Sequence, residues 1–338
     1  MGLWLELPLM LAQGLAGTHL LIILAPSLGL LDKPNHRSIH IEPTPRGGGI
    51  VFTLVALLDL FIFHRTLFTA HLPEMTALAV ILAIGILDDR HEAPPRIKFF
   101  VIALATLILW DGGVLIDEVG RYFGMEISLG WLALPFTYFA VAGFTNAMNL
   151  IDGIDGLAGT ISLIILAALA YLGWSEHDPF LWRVSLAFIA GISAFLVYNW
   201  HPASLFMGDS GSLILGFLIA MLSIYALEYL PSVSVLYLGA VPIIDTLVAM
   251  IRRKRSGRSA TAPDRCHFHH LLLQRTGSVP RTVLIMGTVQ GAFLLAGLQL
   301  EKQMDQTLPL AFFLLLVWAA SVLVDREIRA RRIECYRS

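Results

Sequence analysis

The chain has 338 residues, of which 57% are apolar and only 14% charged, with a formal net charge of −2 and a mean hydropathy of +0.74. A soluble domain carries about a quarter charged residues, so this composition excludes an ordinary soluble protein and points to an integral membrane protein. Two cysteines, Cys266 and Cys335, are too few for a disulfide framework, and no basic, aromatic-interleaved patch suits nucleic acid.

Residues 3–31 open the chain with an apolar run that no basic segment precedes, the pattern of a retained span rather than a cleaved signal. A membrane helix needs about 20 mostly apolar residues. By that rule eleven spans follow: 3–31, 47–63, 73–88, 97–115, 131–149, 157–173, 181–199, 212–230, 233–251, 282–299 and 307–324. The stretch 112–130, with Gly112, Gly113, Gly120 and Gly130, reads as a hairpin or loop. The expected fold is an all-α polytopic bundle of about eleven transmembrane helices, a single unit over residues 1–338.

Orientation follows from where Lys and Arg fall between spans. With the N-terminus outside, nineteen of the 23 lie in inner segments, and only Arg65, Arg121, Arg183 and Lys302 lie outside. The C-terminus is then cytoplasmic, with a basic and His-rich loop at 252–281 and a basic tail at 325–338. The polar, glycine-rich segments all fall on that inner side, which suits an enzyme acting at the membrane face on a soluble substrate.

Taken in order, the first of these segments holds His36, Arg37 and His40 before Thr44-Pro45-Arg46-Gly47-Gly48-Gly49. Its basic groups could meet an anionic headgroup, or the loop could be purely structural. Asp88-Asp89 closes the third span, ahead of Arg96 and Lys98. Adjacent carboxylates at a membrane surface repel unless a cation holds them, so a metal or general-base role is expected over a solvated helix end.

Asn146, Asn149 and Asp152 recur every three residues, which would stack them on one helix face; Asp155 continues the spacing, but Gly153, Gly156 and Gly159 loosen the backbone there. Acids beside an apolar span mark a functional site by default. Asn199 precedes the segment His201 to Ser212, where Asp209 lies between Gly208 and Gly211 at a helix start suited to phosphate. Asp209 could equally be a plain N-cap. Asp245 is a lone acid in the ninth span, without an assigned role. Cys266-His267-Phe268-His269-His270 offers contacts to a diphosphate or sugar, with zinc as an alternative. The acids elsewhere are oxygen donors, which suit Mg²⁺.

In this order, the motifs around Arg46, Asp88-Asp89 with Lys98, Asn146–Gly159, Phe206–Ser212 and His267–His270 resemble those of the polyprenyl-phosphate N-acetylhexosaminyl-1-phosphate transferases, the MraY/WecA superfamily. The His-x-His-His form is nearer the N-acetylglucosamine-1-phosphate branch. The resemblance implies a multi-pass enzyme of the bacterial inner membrane. It would transfer a sugar-1-phosphate from a UDP-N-acetylhexosamine to undecaprenyl phosphate, with Mg²⁺ or alternatively Mn²⁺, and release UMP. It further implies that Asp209 and Asp152 ligate the metal, Asp88 acts as base and Asp89 supports it. Asn149, Asp152 and Asp155 would line the nucleotide side, and Arg46, Asn199, Lys98, His267, His269 and His270 would contact phosphates or sugar. A homodimer is compatible with this. The rival from another class is an ion-coupled transporter, although no repeat relates the two halves as transporters often show.

Overall fold

The computed structural model describes residues 3–32, 43–259, 264, 266–331, 333 and 335. His36, Arg37 and His40 lie outside the described residues. The chain forms two compact units, Met1–Ile116 with Trp131–Glu228, and Asp117–Gly130 with Tyr229–Ser338.

The first unit comprises α1 (Leu3–Leu28), the short paired strands β1 (Leu31–Asp32) and β2 (Thr44–Pro45), α2 (Gly48–Phe63), α3 (Arg65–Ala70), α4 (Leu72–His91), α5 (Pro95–Asp111), α6 (Ala133–Ile151), α7 (Leu157–Ser175), α8 (Pro179–Asn199) and α9 (Asp209–Ala226). Local sequence explains several boundaries. Asp178 caps α8 by accepting the Leu181 N–H at 2.9 Å, and Pro179 supplies the first-turn φ. Pro94-Pro95 forces extended backbone between α4 and α5, so one helix ends and the next begins within four residues.

Helix α9 is the axis of this unit. It contacts α2, α4, α6, α7 and α8, and every residue from Ser210 to Ser223 is buried. In lipid, apolar side chains gain little from mutual contact, so helices associate through close van der Waals approach at small residues. A Cβ on Gly49 would lie 2.1 Å from the Gly211 nitrogen, and one on Gly85 would lie 2.4 Å from Ser210 Cα. Only glycine allows α2 and α4 to lie directly against the start of α9.

The second unit holds the antiparallel hairpin β3 (Glu118–Tyr122) and β4 (Met125–Ser128), then α10 (Ser232–Leu238), α11 (Ala240–Arg255), α12 (Phe268–Thr276), α13 (Val279–Leu298) and α14 (Thr307–Arg331). The hairpin falls where glycines foretold a turn. Tyr237, Ile244, Val248, Phe313 and Val317 build the core of this unit, which also takes in Cys266 and Cys335. Those two cysteines are joined as a disulfide across 69 positions of sequence. Nothing in their spacing announced the pairing.

Among the described residues, six helices are long and apolar enough to cross a membrane: α1, α7, α8, α9, α13 and α14. Helices α10 and α11 make a seventh if counted together, although they bend by 86° at their junction. The expected span over 233–251 is thus divided into two helices. Helix α9 begins at Asp209 and ends at Ala226, earlier at both ends than the expected 212–230. Helices α2, α4, α5 and α6 coincide with expected spans but are shorter or more polar than that criterion requires. The chain is a multi-pass, predominantly α-helical membrane protein.

Candidate active site

The site gathers at the N-terminus of α9. Gly208 precedes the helix with φ 74°, a left-handed value that suits glycine, and a Cβ there would lie 2.6 Å from both Asp89 carboxylate oxygens. Asp209 is the first helical residue, and its side chain makes no capping bond, so the plain N-cap alternative is set aside. The capping acceptor comes instead from α4. Asp89, 2% exposed, accepts the Asp209 N–H at 2.8 Å and the Ser210 N–H at 3.1 Å. A carboxylate there satisfies two helix-terminal donors and complements the helix dipole.

That capping leaves the Asp209 carboxylate facing outward from the helix start. Its Oδ2 accepts from Lys98 Nζ at 3.0 Å, and its Oδ1 accepts from Asn149 Nδ2. Asn149 also donates to Ser212 Oγ at 2.8 Å. Lys98 pairs with Asp88 as well, which makes it the cation between the two carboxylates. Asp88 is buried, and its Oδ1 accepts the Ala93 N–H at 2.6 Å, so the turn that ends α4 fixes its position.

The loop between α6 and α7 completes the group. Helix α6 stops at Ile151, so Asp152 lies in a turn with Asp155 and not on the helix face that its spacing from Asn146 and Asn149 suggested. Burial, followed by the charges of Asp209, Asp89 and Asp155, pushes the Asp152 carboxyl up to about 8. Asp155 Oδ2 accepts from His201 Nδ1 at 2.7 Å and from the Ala203 N–H at 3.2 Å. Asn199 is spent on backbone: its Oδ1 accepts the Gly156 N–H at 3.0 Å and its Nδ2 donates to Leu205 O at 2.9 Å. It therefore holds the α6–α7 turn against the segment before α9.

Arg46 belongs to the same unit. Its segment runs beside Phe206, with the Phe206 N–H donating to Pro45 O at 2.8 Å and the Gly48 N–H donating to Phe206 O at 3.1 Å. Its guanidinium lies 3.9 Å from Asp32. The structure thus brings Arg46, Asp88, Asp89, Lys98, Asn149, Asp152, Asp155, Asn199 and Asp209 into one unit, from six separate stretches of chain.

The sequence matches the glycosyl transferase family 4 pattern over residues 73–227, the stretch that carries α4 to α9. It is also 34% identical over 307 residues to a protein of Bacillus subtilis (strain 168) named a probable undecaprenyl-phosphate N-acetylglucosaminyl 1-phosphate transferase, covering 87% of this chain and 83% of that one. The chain belongs to glycosyl transferase family 4, within the MraY/WecA superfamily. Two further relatives, both named undecaprenyl-phosphate alpha-N-acetylglucosaminyl 1-phosphate transferase, come from Salmonella typhi and Escherichia coli (strain K12). The first is 31% identical over 314 residues, covering 86% of this chain and 83% of the relative. The second is 31% identical over 286 residues, covering 80% and 76%. A family 4 chain is an enzyme, and the ion-coupled transporter is not favoured.

The histidine motif of this family 4 enzyme lies in the second unit. Asp245, left without a role by the sequence, accepts from the Phe268 N–H at 2.8 Å and lies 2.9 Å from His267 Nδ1. It therefore orients the start of α12. His269 is 1% exposed, and among the described residues neither ring nitrogen has a hydrogen-bond partner. Burial drives its pKa down to about 3 despite the nearby Asp245 carboxylate, so the ring is neutral at physiological pH. Only the fold could reveal the Asp245 partnership, because it lies 22 positions before His267 in the sequence.

Proposed function

We propose that this enzyme transfers N-acetylglucosamine 1-phosphate from UDP-N-acetylglucosamine to undecaprenyl phosphate at the cytoplasmic face of the bacterial inner membrane, releasing UMP. The product would begin a lipid-linked cell-envelope glycan, with another N-acetylated hexosamine as the alternative donor sugar. The observation that carries this reading is the Asp209 carboxylate, presented at the start of a buried helix between Lys98 and Asn149. The names of the relatives support the lipid and the sugar.

A divalent cation suits the residues present. Asp88, Asp89, Asp152 and Asp209 are oxygen donors, Lys98 is the cation between two of them, and burial followed by the neighbouring carboxylates raises Asp152. Asp209 and Asp152 would hold Mg²⁺, or alternatively Mn²⁺. Bound there, the ion would neutralise charge on the diphosphate as phosphoryl transfer requires. Asp88 would take the remaining proton of the lipid phosphate. A lipid phosphate oxygen then attacks the β-phosphorus of the UDP-sugar, the bond from that phosphorus to the bridging oxygen breaks, and UMP leaves. Lys98 would receive phosphate oxygens, Asn149 and Asp155 would line the nucleotide side, and Arg46, His267, His269 and His270 would serve phosphates or sugar. Asn199 would contribute by holding the Asp155 turn. The same reading takes the chain as eleven spans with the N-terminus outside and the C-terminus cytoplasmic, which its Lys and Arg distribution supports. It also admits a homodimer.

The test is UMP release by the purified protein supplied with undecaprenyl phosphate, Mg²⁺ and a panel of UDP-sugars. Release that needs lipid, metal and Asp209, lost in Asp209→Asn, is the expected result, with UDP-N-acetylglucosamine the best donor. No release with any UDP-sugar would overturn the reading. Labelled phospho-enzyme formed from UDP-sugar without lipid would replace direct attack by a two-step route.

A further inference from the structure

A second cluster of ionisable groups occupies the other end of the first unit. Helix α2 starts against α9 at Gly49 and runs 16 residues, roughly 24 Å, before reaching His64. Helix α8 ends at Asn199, beside the active-site turn, and Arg183 stands near its opposite end. There Glu6 of α1, Asp59 of α2, His64 and Arg183 converge.

The pairing in this cluster is one-sided. His64 Nε2 lies 2.6 Å from Glu6 Oε1, and Arg183 Nη1 donates to Glu6 Oε2 at 3.4 Å. Both basic partners therefore serve Glu6. Asp59, only 3% exposed, has neither carboxylate oxygen hydrogen-bonded to a donor among the described residues. The ionisable groups that act on it are Glu6, another carboxylate, and Arg183. A buried carboxylate without donors is costly, so a cation or a proton has to compensate it.

Geometry favours a metal ion. Glu6, Asp59 and His64 each offer a ligand atom, and the three atoms lie within 4.8 Å of one another. Two donors on one zinc ion are at most about 4.2 Å apart, so small side-chain rotations would bring all three into its shell. One imidazole nitrogen and two carboxylate oxygens suit a first-row divalent ion of the zinc class better than Mg²⁺. We propose that Glu6, Asp59 and His64 form a zinc-class metal site joining α1 and α2 at the end of the first unit remote from Asp209. Such an ion would fasten α1 to α2, and it would do so away from the chemistry.

The test uses the full-length protein in detergent, with saturating Mg²⁺ to fill the active site. After incubation with Zn²⁺ and desalting, elemental analysis should find one zinc per chain in the wild type. Asp59→Asn and His64→Gln should each lose that equivalent while retaining UMP release. Co²⁺ replacing Zn²⁺ in the wild type should give a visible ligand-field spectrum and X-ray absorption with a single imidazole, readouts that need no variant. Absence of bound zinc in the wild type, or zinc unchanged in both variants, would overturn the site. The first outcome would leave a proton shared between Glu6 and Asp59, and the second would assign the ion to another histidine group.

Discussion

The Asp89 carboxylate receives the backbone N–H of Asp209 at 2.8 Å, so one acid of the Asp88-Asp89 pair holds the residue that the other faces across Lys98. Adjacent in sequence, the two carboxylates divide their work. Asp89 fixes the helix terminus on which Asp209 stands, and Asp88 shares a cation with the Asp209 side chain.

That division predicts how Asp89→Asn behaves. An amide oxygen can take the place of only one carboxylate oxygen, so either Asp209 or Ser210 loses its acceptor at a cost of about 1–3 kcal/mol. Displacement of a catalytic group by even 1 Å can cost on the order of 10²-fold in rate. UMP release should therefore fall by about that factor with the protein still folded, and thermal unfolding beside steady-state kinetics would separate the two effects.

Gly49→Ala should damage the fold rather than the chemistry. The added methyl would lie 2.1 Å from the Gly211 backbone nitrogen, where no flexible side chain can move away. Overpacking of this kind costs roughly 1–3 kcal/mol and more where backbone must shift. Reduced yield of folded protein and a lowered melting temperature are expected. Gly143→Ala, with nothing within 4 Å of its Cβ, serves as the control and should be silent.

The proposed place of Asp152 at the cation makes binding depend on pH. Its carboxyl, raised to about 8, is protonated at neutral pH when no cation is present, so binding a metal there must release that proton. Apparent Mg²⁺ affinity should rise with pH, by at most about tenfold per unit, and level off above about pH 8. Titration of Mg²⁺ dependence at several pH values measures the slope, and Asp152→Asn should flatten it.

His269 sets an acid limit for the second unit. Its pKa is lowered from 6.5 to about 3, so the unfolded chain binds a proton that the folded chain refuses. Its penalty is absent above pH 6.5 and grows as pH falls towards 3, by about 1.4 kcal/mol per unit. Melting temperature should fall below pH 6.5, and His269→Gln should remove part of that fall.

Composition and spacing alone determined that this is a multi-pass membrane protein, because apolar runs of span length bounded by charge have few other physical uses. Short-range motifs likewise marked Asp88, Asp89, Asn149, Asp152, Asp155 and Asp209, since acids beside lipid are too costly to lie there idle. What each acid does was decided by tertiary contacts. Asp89 became a cap because Gly85 and Gly208 let α4 reach the start of α9, and Asn199 became a brace for the α6–α7 turn. The Asp245–His267 contact and the Cys266–Cys335 bond depend on residues far apart in the chain. Sequence periodicity reports which face of a helix is apolar, but only packing determines which partner meets that face.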